Sequence, residues 1–585
     1  MQGQQASARN RRSIKSHARL IAALTAAVCC GRSASRVAAD TWTWTGSASE
    51  NWNNASNWDH TSGTNASGIP VNSANTIVDF AGSTDTSPNQ NIASPLEINS
   101  LGFNSGASVF TLGGFGLIFA TSSTSVAPTI VQSSSSGEFI EQTLTFANNT
   151  TFSGSGTGTV EITAPINGAG SLIDNAAAPL ALTASNSYSG GTTINGGQIL
   201  FNNANAFGGG TIAFNSGTLT ATTSTSLANE FSNSTGSVIN FQASAGATLT
   251  VNPSSALFGS LNFGSSTATG TVNFEPSSYD TFGGQINVNG GELLDGAGSL
   301  ASVSGIYSVA IAQSAEFNTN GNSESIVDLT GAGTLALGTN SSATFTLETA
   351  SFSGTITGSG KLVVAGGTAI FSGANTYSGG TTLNSGSIGA GNSSALGSAA
   401  VAVAGNVDLY ATGASVSLSN PVSLASGKTL TTINAPSGAQ SLSLTGNISG
   451  SGSLVMSGSD ILTLDGTNSY SGGTTINGGQ ILFNNANAFG GGTIAFNSGT
   501  LTATTTTSLA NEFSNSTGSV INFQASAGAT LTVKPSSALF GSLNFGSSTA
   551  TGTVNFQPST YDTFGGQINV NGGELLDGAG SLGSV

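Results

Sequence analysis

Cysteine is missing from this chain after Cys30, arginine after Arg36, and histidine beyond residue 17 except for His60. Each absence excludes something. Without cysteine there is no disulfide and no thiolate nucleophile or zinc ligand, so stability has to come from burial and backbone ladders. One imidazole cannot form a zinc site and has no partner with which to activate a serine. Beyond residue 39 the basic side chains are Lys361, Lys428 and Lys534, set against 26 acidic residues. A chain so poor in Lys and Arg cannot neutralise nucleic-acid phosphates or dock on anionic lipid. Helical periodicity is absent after residue 40, and no apolar run is long enough to cross a bilayer.

The basic residues cluster at the N-terminus. Arg9, Arg11, Arg12, Lys15 and Arg19 precede the apolar run Leu20–Cys30, and Val37-Ala38-Ala39 offers small residues before Asp40. This order predicts an export signal over 1–39. The remainder is rich in Gly, Ser, Thr, Asn and Ala, yet apolar residues reach 37% of the whole chain. A disordered tail would be charged and apolar-poor, so the composition favours an ordered chain.

Short runs alternate apolar and polar residues between Gly, Asn and Ser. Gln198–Phe201, Thr211–Phe214, Thr248–Val251, Ser260–Phe263, Thr271–Phe274 and Gln285–Val288 each read as a half-buried strand. An all-β chain follows.

Two scales of repetition organise it. Residues 186–303 recur as 468–585 with five differences: Ser224/Thr506, Asn252/Lys534, Glu275/Gln557, Ser278/Thr560 and Ala301/Gly583. The second copy stops where the first continues, which predicts a chain truncated at its C-terminus. Within this frame, Asn186-Ser187-Tyr188-Ser189-Gly190-Gly191-Thr192-Thr193-Ile194-Asn195 returns at Asn375–Asn384 around Tyr377, Gly379 and Gly380, and at Asn468–Asn477 around Tyr470, Gly472 and Gly473. An Ile-x-Gly-x-Gly-x-Leu segment begins 22, 21 and 22 residues before the three tyrosines, at Ile166, Ile356 and Ile448. Such repetition predicts a β-solenoid, because each coil can bury its apolar face only against its neighbours. The tyrosines are 189 and 93 residues apart. Whole numbers of coils then imply eight and four of about 23.5 residues, with about 19 as an alternative, and a rod of about 23 coils and ~110 Å.

All four tryptophans, Trp42, Trp44, Trp52 and Trp58, fall early in residues 40–120. Bulky aromatics over an open coil end would exclude water, so this segment is expected to be a Trp-rich N-terminal cap with the first coils. Residues 121–585 then form the repeat array. The same tryptophans suggest an alternative, a platform for surface glycans or matrix, since aromatic faces suit sugar rings.

The Asn-[Ser/Thr]-Tyr-Ser-Gly-Gly-Thr-Thr-[Ile/Leu]-Asn segments and the Ile-x-Gly-x-Gly-x-Leu segments upstream resemble the autotransporter-associated β-strand repeat, also called the passenger-associated transport repeat. The resemblance implies a right-handed parallel β-helix, exported by a Gram-negative-type bacterium to its surface or surroundings. It also implies an outer-membrane translocator barrel as partner, which this sequence does not contain. The lack of cysteine suits threading through a narrow pore.

Nothing in the inventory specifies catalysis, a cofactor or a metal. His60, in Asp59-His60-Thr61, reads as a surface or loop residue. Glu138 with Glu141, and Glu292 with Asp295 (again Glu574 with Asp577), are three apart, and on a strand they point to opposite faces. Glu275 becomes Gln557 in the second copy, so at most one copy could use it as an acid. No calcium loop occurs, and the Gly-Gly pairs lack the lysine of a phosphate cradle. A polysaccharide-degrading β-helix is the enzymatic alternative, but it would need a base and cations that are scarce here. The expected roles of Tyr188, Tyr377 and Tyr470 are stacking over tight turns. The reading is a non-enzymatic, exported rod with a structural or adhesive role.

Overall fold

The computed structural model describes residues 39–255, 257–276, 284–296, 300, 308–413, 415–434, 440–559 and 566–578. The export-type segment up to Ala38 lies outside them, as do Ser278, Thr560, Ala301 and Gly583. Among the described residues the chain is all β, with a three-residue 3₁₀ turn, Ala55–Asn57, as the one helical element. No helix there is long and apolar enough to cross a membrane.

The strands form a parallel β-solenoid of about 21 turns. At ~4.8 Å per turn this is a stack roughly 100 Å long, slightly shorter than the spacing alone suggests. One pairing is antiparallel, Asp40–Trp44 against Trp58–Ser62, and Asp40–Trp44 then runs parallel to Thr76–Phe80. Among the described residues all the other strand pairs are parallel.

The alternation read from the sequence is realised rung by rung. Ile199 and Phe201, Leu249 and Val251, Leu261 and Phe263, and Ile286 and Val288 point inward and are almost fully buried. Stacked coils place like residues above each other, so Phe241 lies 6.1 Å from Phe263, ring centre to ring centre, while Phe274, on a different ladder, meets Phe263 edge-on across the interior at 5.4 Å. Each such side chain contributes on the order of 1.5–3 kcal/mol by leaving water, and the core runs unbroken along the rod.

Through the middle of the rod each coil has three strands, as in Thr355–Thr357, Lys361–Val364 and Thr368–Phe371. These belong to three ladders, hereafter the first, second and third faces. The first runs from Thr225–Leu227 to Thr355–Thr357, and the second from Glu324–Ser325 to Ile448–Gly450. The third contains Gln198–Phe201 and Thr368–Phe371.

Coil length is not uniform. The register step is 18 residues from Glu316 to Thr334, 19 from Leu180 to Ile199, 26 from Leu418 to Leu444 and 29 from Leu101 to Ile130. The whole-number expectation therefore fails in an instructive way. Nine pairings, not eight, carry the strand Gln198–Phe201 to its counterpart Gly386–Ala390. Four more lead from Gly386–Ala390 to Thr474–Ile476, which is the counterpart of the preceding strand, Thr192–Ile194. The third motif thus arrives one face further round the rod. Stacking requires an inward residue above an inward residue, not the same motif above itself. Turns absorb the remaining length.

Candidate functional site

The repeat motif is a clip across three coils. Asn186 accepts a hydrogen bond from the Ile166 amide (2.8 Å) and donates to the Ala206 carbonyl (2.6 Å), each 20 residues away. Asn375 does the same between Ile356 (2.8 Å) and Ala395 (2.7 Å), and Asn468 between Ile448 (2.7 Å) and Ala488 (2.6 Å). All three asparagines are buried. The Ile-x-Gly-x-Gly-x-Leu segment is therefore the coil that the clip sits on.

The Gly-Gly pair carries two separate requirements. A Cβ on Gly190, Gly379 or Gly472 would come within 2.5 Å, 2.3 Å or 2.4 Å of backbone atoms of Gly170, Gly360 or Gly452. Gly191, Gly380 and Gly473 have φ of +80°, +90° and +85°, left-handed backbone that favours glycine.

The sequence reading missed the second half of the clip, which lies one coil on. Asn203 donates to the carbonyls of Thr183 and Ala184 and accepts from the Asn205 amide. Asn392 and Asn485 repeat this arrangement. The signal was present as Asn-x-x-Ala-[Phe/Leu]-Gly at 203–208, 392–397 and 485–490. It reads as ordinary loop composition until the coil beneath is known.

Tyr188, Tyr377 and Tyr470 are fully buried, and each hydroxyl pairs with a threonine four residues on: Thr192 at 2.7 Å, Thr381 at 2.6 Å and Thr474 at 2.6 Å. Burial raises all three phenols well above their ordinary range, so they are neutral packing groups. Thr381 donates onward to the Leu396 carbonyl (3.0 Å), so Tyr377 donates to Thr381. Tyr377→Phe should cost about 1 kcal/mol, the net worth of one buried hydrogen bond. Tyr377→Ala should cost about 3–5 kcal/mol through the cavity it leaves. Urea midpoints for the two variants check this, and equal losses would contradict it.

The tryptophans are in the core: Trp42, Trp44 and Trp52 are 0–1% exposed and Trp58 6%. Trp42 and Trp44 share the inward face but do not stack on each other. Trp42 stacks on His60 at 4.2 Å, while Trp44 and Trp52 meet Trp58 edge-on at 4.9 and 5.3 Å. The Trp44 Nε1–H donates to Asp85 (3.0 Å) and that of Trp58 to Trp52 (2.7 Å). Phe80 closes the cluster from the next coil. A sugar platform needs open ring faces, and here they are covered. His60 Nε2 lies 3.5 Å from Asp40 Oδ1, which also accepts from the Thr64 and Asn65 amides.

The carboxylates divide as strand geometry requires. Glu138 is buried and Glu141 exposed; Asp295 is buried, while Glu292 is half-buried and accepts from Thr271 and Asn318. Neither pair converges. Three buried acids are strongly perturbed. Desolvation raises Glu138 and Asp174 to about 7, opposed by hydrogen bonds from the Phe110 and Ala176 amides. Desolvation and then the adjoining Asp295 raise Glu324 to about 10. The sequence analysis did not single out Asp174 or Glu324. The signal was their parity: each stands two residues from an inward apolar residue, Leu172 and Ile326 respectively. Among the described residues, no three His, Cys, Asp or Glu side chains gather as a metal site would require.

The architecture defined by this geometry is a parallel β-solenoid held by periodic clips. The passenger-associated-transport-repeat family matches at residues 180–200, 355–388 and 454–482, which contain the three tyrosine motifs. The chain therefore carries three passenger-associated transport repeats, and these repeats and the solenoid fit the passenger domain of an autotransporter. No curated protein and no solved structure matches it.

Proposed function

We propose that the chain is an exported passenger displayed at, or released from, the surface of a Gram-negative-type bacterium. In this reading it is a stiff right-handed β-helix with a structural and adhesive, non-enzymatic role. Residues 1–39 direct export, and residues 40–120 cap the array with the tryptophan cluster. An outer-membrane barrel is the translocation partner. The observation that carries the reading is the clip itself. Asn186, Asn375 and Asn468 each bond one coil to those before and after it. A chain emerging from a pore would lock every new coil onto the last, and the apolar area buried would oppose back-sliding.

The test uses a closed loop. Asn195 and Asn215 are hydrogen-bonded neighbours on stacked coils. The pair Asn195→Cys with Asn215→Cys can be bridged before export. With the chain fused to a translocator barrel, surface display should fall at least several-fold under oxidising conditions and return with reductant. Undiminished display of the bridged chain would argue against export as a threaded strand. A chain that never reaches the surface in either state would argue against the passenger reading itself.

A further inference from the structure

One surface is built differently from the rest of the rod. On the third face, the stacked strands Gln198–Phe201, Ile212–Ala221, Phe231–Ala243, Ser260–Phe263, Gln285–Val288 and Ser308–Ile311 contain no charged residue. Along it the outward asparagines form a ladder. Asn287 donates to Asn262 (2.8 Å), Asn262 to Asn240 (2.8 Å), and Asn240 to the Gly217 carbonyl (2.8 Å). A second row beside it joins Gln198 and Gln242 through Thr220. The duplication rebuilds the surface with Asn522, Asn544 and Asn569 at 2.8–2.9 Å, and with Gln480, Thr502 and Gln524.

Hydrogen-bond accounting shows what such a ladder can hold. A primary amide has two N–H donors and two acceptor lone pairs. A rung in mid-ladder uses one of each, so Asn262 keeps one donor and one acceptor for an outside partner. This half-satisfied pattern repeats at the coil spacing of ~4.8 Å. Val238 and Val520, each 42% exposed, add an apolar patch beside the rows.

We propose that these two amide faces bind an uncharged polysaccharide. Its hydroxyls both donate and accept, which matches the free half of each amide, and its C–H surfaces suit Val238 and Val520. An ionised glycan would need cations, which these strands do not contain. An extended peptide would need a free sheet edge, whereas here the strands are paired on both sides. The third motif's one-face rotation puts the second amide surface on the adjacent face, thirteen coils and roughly 60 Å along the rod. A single long polymer can engage both, so the two sites reinforce each other. This deepens the adhesive reading and rests on it, but binding is measured on purified protein, so failure here leaves the export reading untouched.

The experiment is retention of the purified chain on insoluble cellulose, curdlan and chitin. The expected result is retention on at least one of them. Asn262→Ala with Asn544→Ala should weaken it by tenfold or more, with either single change intermediate. Ser260→Arg with Ser542→Arg leaves the ladder intact and lays a long side chain across the same surface; it should weaken binding to a similar degree. Failure of all three polymers to retain the native chain, or retention of either double variant equal to that of the native chain, would overturn the proposal. Loss of rod-to-rod association in the Ser→Arg variant, without polymer binding by the native chain, would reassign the face to self-association and overturn it too.

Discussion

Gly379→Ala should open the solenoid around one coil, whereas Gly491→Ala should be silent. Both residues are glycines in Gly-rich turns. The new methyl at 379 would meet the Gly360 carbonyl oxygen at 2.3 Å, while nothing lies within 4 Å of the same atom at 491. The obstacle at 379 is backbone, and the amide of the preceding residue, Ser378, donates to the Gly358 carbonyl, so neither coil can yield cheaply. Overpacking of this kind costs about 3 kcal/mol, at the upper end of its usual range. The Gly491 change should stay within about 0.5 kcal/mol. In a stacked array the damage remains local, because each coil contacts only its neighbours. Amide hydrogen exchange or limited proteolysis should therefore report faster opening near 355–400, with distant coils unaffected. Equal behaviour of the two variants would remove the steric argument for the Gly-Gly pair.

The second large effect is a loss of stability as pH rises. Asp174 and Glu138 are raised from 3.8 and 4.5 to about 7, and Glu324 from 4.5 to about 10. The folded chain therefore holds these protons to higher pH than the unfolded chain does. The stability they contribute is fully present below about pH 4 and declines as pH climbs through 7 for the first two and towards 10 for the third. At 1.36 kcal/mol per pH unit, Asp174 corresponds to roughly 4 kcal/mol and Glu138 to roughly 3 kcal/mol. The urea midpoint should be higher at pH 5 than at pH 8.5. Asp174→Asn, Glu138→Gln and Glu324→Gln together mimic the protonated forms and should flatten the dependence. A midpoint that rises with pH, or a slope unchanged in the triple variant, would refute the assignment. Paired carboxylates at protein surfaces usually give the opposite slope, so the sign itself is diagnostic.

Much of this was legible from local pattern. Alternation in runs such as Gln198–Phe201 and Thr248–Val251 reports which side chains face inward, because successive residues on a strand point to opposite sides. The three tyrosine motifs announced a repeat, and their Gly-Gly pairs announced a tight turn. The turn's two causes were not legible: the left-handed backbone belongs to Gly380 itself, but the close approach at Gly379 depends on where Gly360 lies. Asp174 and Glu324 were passed over for a related reason. Their inward parity could be read, but the burial that perturbs them depends on the coils above and below. The partners of the tryptophans were not foreseen. Trp42 meets His60 because Asp40–Trp44 and Trp58–Ser62 form an antiparallel pair within an otherwise parallel stack.

The sequence by itself determined that the chain is β, that it repeats, that it has no cysteine beyond residue 30 and that its interior is a continuous apolar ladder. These are properties of residue type and short-range spacing. Only the tertiary structure decided that a coil in mid-rod has three strands, that the register step between parallel strands ranges from 17 residues (Thr344 to Lys361) to 36 (Asp40 to Thr76), and that the third motif is turned one face from the other two. The physical reason is that a solenoid enforces register only where strands pair. Turns of any length that return an inward residue above an inward residue satisfy it equally, so the path between strands is settled by packing across coils.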